Sequence, residues 1–121
     1  MSAAHRPKLV AGRNIAMKIP SHEYEATVRF YRDIVGLRQI HHDTPDVVFE
    51  FGDSRLWLDK VDHFSRAEIW LELQSDDVGA AAEYLANKGI IRRDDIEPLP
   101  QGFSGFWIAN PAGIIHLVCA E

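Results

Sequence analysis

Of the side chains that could move a proton or hold a metal, the histidines and cysteines are few and scattered among 18 carboxylates. There are six histidines and one cysteine. His41 and His42 are adjacent in a run that alternates like a strand, so they point to opposite faces and at most one can line a site. His22 falls at a helix start and His63 in a loop, placed as solvent-exposed residues are, and His5 is expected to be disordered in the leader. Cys119 is single, so it can form no intrachain disulfide and no cysteine-based zinc site; it reads as a small core residue. No serine sits in a nucleophile elbow, and neither standard glycine-rich phosphate loop is present. The richest stretch is Glu68–Gln74. Its alternation sets Ile69, Leu71 and Leu73 on one face and Glu68, Trp70, Glu72 and Gln74 on the other. Because Ile69 and Leu71 supply the helix-facing layer, Trp70 is expected on the ligand side with Glu72. A carboxylate beside an indole loses solvation of its charged form, which raises its pKa toward general acid–base work.

Elements that could position these groups follow from period and punctuation. Asn14–Ile19 alternates as a half-buried strand that Pro20 stops. A helix begins at Ser21, a cap residue type, and runs to Gly36, with Tyr24, Val28, Tyr31 and Val35 as its apolar face. Leu37–Asp43, Val47–Phe51 and Arg55–Val61 are short runs split by turn residues, the pattern of an antiparallel meander. The order then recurs: a strand over Glu68–Gln74, a helix from Asp76-Asp77 through Lys88 closed by Gly89, and strands over Ile96–Leu99, Phe103–Ala109 and Ile114–Cys119. Residues 1–12 read as a flexible leader, 13–62 as a first strand–helix–three-strand module and 67–121 as a second, together forming one domain.

Composition excludes several classes. The 121 residues are 46% hydrophobic and 26% charged, an ordinary globular balance that argues against disorder. A net charge of −5 with scattered basic residues argues against a nucleic-acid partner or a membrane surface. No apolar run approaches the roughly 20 residues needed to cross a bilayer, and cytoplasm is the expected location.

Three motifs point further. Phe30-Tyr31-Arg32-Asp33-Ile34-Val35-Gly36-Leu37 resembles the helix end of the glyoxalase, bleomycin-resistance and extradiol dioxygenase group, the vicinal oxygen chelate superfamily. Ser75-Asp76-Asp77-Val78 with Ala81-Ala82 resembles that group's second strand-to-helix junction, and Phe106–Gly113 its turn before the final strand. The resemblance spans residues 13 to 120. It implies an α+β fold of two tandem βαβββ modules, a cup-shaped, partly closed mixed sheet with helices outside and ligand on the concave side. Homodimers are implied as well, since strand edges between modules invite pairing.

The resemblance also implies where a metal would be held: on the concave faces of the first and last strand of each module, by His, Glu or Gln that let a divalent ion grip neighbouring substrate oxygens. Here those positions fall on Asn14, near Leu58, on Trp70 and, within one residue, on His116. One coordinating side chain of four is a poor metal site. A relocated trio of His116, Glu72 and Glu50 is the alternative, provided their registers all turn them inward. The expected ligand-binding residues are Asn14, Lys18, Trp70, Glu72, Gln74 and His116, with Glu72 and His116 as candidate catalytic groups. Trp57 and Trp107 fall near the rim or in ordinary core, with core the favoured place and their facing left open. The expectation is a binding protein that uses no cofactor and takes a small aromatic or cationic molecule, as bleomycin-resistance-like relatives do. A metal-dependent lyase, isomerase or dioxygenase is the alternative; a regulatory or assembly module without catalysis is a third.

Overall fold

The computed structural model describes residues 6–41 and 45–121. Among them are eight strands and two α-helices in the order β1 (Leu9–Ala11), β2 (Asn14–Pro20), α1 (Ser21–Arg29), β3 (Gln39–Ile40), β4 (Val47–Phe51), β5 (Ser54–Val61), β6 (Glu68–Ser75), α2 (Val78–Asn87), β7 (Gly105–Ala109) and β8 (Ile115–Ala120). The class is α+β with mixed strand pairing, as expected. The described residues divide into two compact units, one made of Arg13–Trp70, the other of Leu71–Glu121 with residues 6–12.

In the Arg13–Trp70 unit β3, β4 and β5 form the expected antiparallel meander, and β2 runs parallel to β5 in the register Asn14↔Arg55 to Pro20↔Val61. The first residues of β6 close the other side of β2, Ala16 opposite Trp70 and Lys18 opposite Glu68. Ile19, Val28, Phe49, Leu56 and Leu58 make the buried core under α1, with Ile15, Met17, Tyr24, Tyr31, Leu37 and Val47 around it. Alternation therefore turns Asn14, Ala16, Lys18, Val48, Glu50, Arg55, Trp57, Asp59 and Trp70 to the other face.

Two local details of this unit differ from expectation. Ser21 is not the cap: Pro20 holds that position, and the Ser21 hydroxyl instead donates to Asp62. The helix also changes pitch. Phe30–Val35 is a π-helical turn that ends at Gly36, whose φ of 80° is the left-handed conformation glycine tolerates best. The wider turn shifts the phase of the apolar stripe. Tyr31 still packs against Phe49, but Val35, which the 3.6 period puts on the buried face, is exposed, and Ile34 is 76% exposed. The strand expected over Leu37–Asp43 is confined to Gln39–Ile40, and His42, Asp43 and Thr44 lie outside the described residues.

In the other unit the later part of β6 runs parallel to β8, and β7 pairs antiparallel with β8. Asp77 caps α2 by accepting from the Ala80 N–H at 3.0 Å. Ala81 of α2 is buried against Phe106, Ile108 and Val118 of the strands, with Leu73 and Leu85 among their neighbours. The strand expected over Ile96–Leu99 is absent; the segment is irregular. Pro98 and Pro100 each lack an N–H, so a ladder there would lose alternate donors. The run is tied to β7 instead: the Arg93 N–H donates to the Trp107 carbonyl at 2.7 Å, and the Trp107 indole N–H to the Glu97 carbonyl at 2.8 Å. The leader is not wholly flexible either. Leu9–Ala11 pairs antiparallel with Leu73–Ser75 and satisfies β6 backbone groups that β2 does not reach; His5 lies outside the described residues. Asn110 closes the last turn, its side-chain oxygen accepting from the Ala112 and Ile114 N–H groups.

Candidate functional site

On the sheet face turned away from α1, Lys18 is buried, 5% exposed, and its ammonium donates to Asp59 at 2.9 Å. The same nitrogen lies 4.3 Å from the centre of the Trp70 ring, a cation–π contact strengthened by the exclusion of water. The Trp70 indole N–H donates to Glu68, and Phe64 lies tilted against the ring. Trp70 is 6% exposed, so this face is organised around a fixed internal cation. Next to it, Trp57 is half-buried, and its N–H donates to the Asn14 side-chain oxygen at 2.8 Å. Asn14, Lys18 and Trp70 thus share one face. Trp57 shares it too and is not a residue of the core beneath α1; the facing of a tryptophan one position out of phase with Leu56 and Leu58 could be assigned only from the register. Leu58, by contrast, points into the core under α1. The position available to a ligand on β5 is therefore Trp57 or Asp59.

In the other unit, Glu72 and Gln74 face away from α2 together, opposite Leu117 and Cys119 on β8. His116 does not join them. It pairs with Leu71 and with Ile108, a residue of the core beneath α2, so it lies on the opposite face, with its Nδ1 3.1 Å from the Ile114 carbonyl. The expected pairing of Glu72 and His116 is thereby corrected. One residue of register decided it: Ile115, Leu117 and Cys119, not His116, share the face of Glu72. Trp107 also lies on that face, opposite Leu117.

Glu72 is packed closely. A methyl group on Gly12 would stand 2.0 Å from its Oε1 and 2.6 Å from its Cγ, which explains why a glycine precedes β2 here. The Cys119 thiol donates to Glu72 Oε2 at 3.7 Å. Burial first, and then the nearby Glu72 carboxylate, push this thiol up from its ordinary 9.0 to about 11. The folded state therefore holds its proton more tightly than the unfolded chain. The resulting stabilisation is complete below pH 9 and is lost as pH rises toward 11. Alkylation by iodoacetamide at pH 8 is expected to run roughly 100-fold slower on the native chain than on the denatured one, from the thiolate fractions alone. Comparable rates in both states would show the thiol to be neither buried nor held protonated.

The metal alternative can be tested against these placements. Asn14 accepts from Trp57, Leu58 is in the core, Trp70 cannot coordinate, and His116 faces away from Glu72. Glu50 is in an ion pair with Arg38. Among the described residues no group of three His, Cys, Asp or Glu side chains comes together in a way that could hold a metal. His116 and Glu72 lie on opposite faces of their own sheet, so the relocated set that needs both on one face is lost, and these side chains do not fit a divalent ion.

The Glu50 neighbourhood supplies a feature that the sequence did not signal. A cleft of about 640 Å³ is lined by Arg13, Arg38, Arg55, His41 and Glu50 together with the β4–β5 turn. These arginines are far apart in sequence, and only the pairing of four strands brings them together.

Comparison with known proteins bears out the architecture. No family model matches the chain, and no curated protein does. Solved structures do. The Mn(II)-bound glyoxalase from Novosphingobium aromaticivorans superposes with a TM-score of 0.61 at 17% identity, over 95% of this chain and 40% of that one. A hypothetical protein from Bacillus halodurans C-125 gives 0.66 at 13% identity, over 94% and 95% of the two chains. The anaerobic complex of homoprotocatechuate 2,3-dioxygenase from Brevibacterium fuscum with 3,4-dihydroxyphenylacetate gives 0.63 at 20% identity, over 98% of this chain and 39% of that one. The chain thus spans about two-fifths of the glyoxalase and of the dioxygenase, and nearly all of the Bacillus protein. It has the fold of the vicinal oxygen chelate superfamily. Among the described residues no helix is long and apolar enough to cross a membrane.

Proposed function

We propose that the chain binds a small aromatic molecule, without a divalent metal, on the face of the Arg13–Trp70 unit turned away from α1. The observation that carries this reading is Trp57, an indole held by Asn14 and only half-buried, beside a polar pair, Lys18 and Asp59. An aromatic wall with a few fixed polar groups is what small-molecule sites generally offer. The structural neighbour whose complex contains 3,4-dihydroxyphenylacetate supports an aromatic ligand for this fold. A cationic ligand is disfavoured, because the Trp70 ring already carries the Lys18 ammonium and Arg55 lies on the same face.

The test is a titration with 3,4-dihydroxyphenylacetate in the presence of a chelator, followed by calorimetry. Saturable binding is expected. Trp57→Ala should weaken it about tenfold, the scale of one lost aromatic contact, while Trp57→Phe retains most of it. Unchanged affinity in Trp57→Ala would move the site elsewhere. Binding that the chelator abolishes would return the metal-dependent reading.

A further inference from the structure

The cleft beside this face has a charge pattern of its own. Across four neighbouring strands, Arg38 precedes β3, Glu50 is on β4, Arg55 is on β5 and Arg13 precedes β2. Main-chain bonds fix the order: Glu50 N–H donates to the Arg38 carbonyl at 2.9 Å, Glu50 and Arg55 are cross-strand partners, and Arg55 N–H donates to the Arg13 carbonyl at 2.7 Å. In side-chain register the row therefore reads Arg38, Glu50, Arg55 and Asn14, and Arg13, one residue before Asn14, lines the same cleft. Its one carboxylate, Glu50, makes an ion pair with Arg38. Among the described residues, no ion pair holds Arg13 or Arg55, both of which line the cleft. Two guanidiniums lining one cleft repel, and a bound oxyanion relieves that repulsion while using their forked donors.

We infer that this cleft is a binding site for an anionic oxygen group, a carboxylate or phosphate, held chiefly by Arg13 and Arg55. The inference deepens the aromatic-ligand reading by making the ligand an aromatic acid or phosphate ester, but the anion site can be tested without the ring. Inorganic phosphate is titrated into the full chain while backbone amide resonances are followed by NMR. Saturable shifts are expected at Arg13 and at the Gly52–Arg55 turn, weakening as salt screens the charges. Arg13→Gln with Arg55→Gln should reduce phosphate affinity at least tenfold with the thermal midpoint retained, since both side chains are exposed. Glu50→Gln should act in the opposite sense, tightening phosphate several-fold by releasing Arg38 to the anion. Arg92→Gln, far from the row in sequence and paired with Asp94, serves as the control. Absence of saturable shifts, or equal losses in the double variant and the control, overturns the inference. Phenyl phosphate, phenylacetate and neutral 2-phenylethanol then separate the two readings. Equal binding of all three through Trp57 defeats the anion site alone; saturable phosphate binding with no affinity gain from any ring defeats the aromatic site alone.

Discussion

Asp59→Ala is expected to destabilise the chain by about 2–4 kcal/mol, and Lys18→Met by about 1 kcal/mol or less, although both remove the same ion pair. The asymmetry comes from where the two charges sit. The Lys18 side chain is 6% exposed and that of Asp59 31%. Removing the carboxylate withdraws the 2.9 Å partner from an ammonium that water barely reaches. The Trp70 ring, 4.3 Å away, is one contact that the ammonium keeps, and a cation–π contact is worth less than a charge-assisted hydrogen bond. Replacing lysine by methionine removes the buried charge and keeps an apolar stem against Trp70, while Asp59 can turn to solvent. Urea unfolding followed by tryptophan fluorescence measures both values. A larger loss in Lys18→Met than in Asp59→Ala would mean that the ammonium is not the desolvated partner.

Phe49→Ala should cost more, about 3–5 kcal/mol, the range for deleting a fully buried aromatic ring. Phe49 is 0% exposed and sits among Ile19, Val28, Leu56 and Leu58, with Tyr31 packed against it at 6.1 Å between ring centres. Ile34→Ala, in the adjacent π-helical turn, should stay within about 0.5 kcal/mol because Ile34 is already in solvent. The contrast tests whether the π turn really rotates Ile34 and Val35 off the core. A regular α-helix through Val35 would bury that side chain, and Val35→Ala would then cost more than the roughly 0.5 kcal/mol of a surface change.

The residues that announced the fold did so for different physical reasons. Tyr31, Gly36 and Leu37 were legible because they work locally: Tyr31 and Leu37 pack against the core, and Gly36 supplies the left-handed residue between them. Phe30 belongs to the same motif and is exposed. β4 and β5 were readable from alternation and a glycine turn. The strand expected over Ile96–Leu99 fails because Pro98 within it and Pro100 just after it lack the N–H donors that a partner strand would need.

The candidate site was legible in composition and illegible in register. Sequence alone determined that Asn14, Lys18 and Trp70 carry the polar side of their strands, since strand alternation is a local property. It also determined that Trp70 could not be a metal ligand. The tertiary structure decided which residues on different strands share a face, because register is set by pairing between distant segments and one residue of slip inverts it. That is why His116 separates from Glu72, why Trp57 joins Asn14, and why Cys119 meets Glu72. The arginine row is the extreme case. Arg13, Arg38 and Arg55 share no motif, and four strands had to be laid side by side before their charges became neighbours.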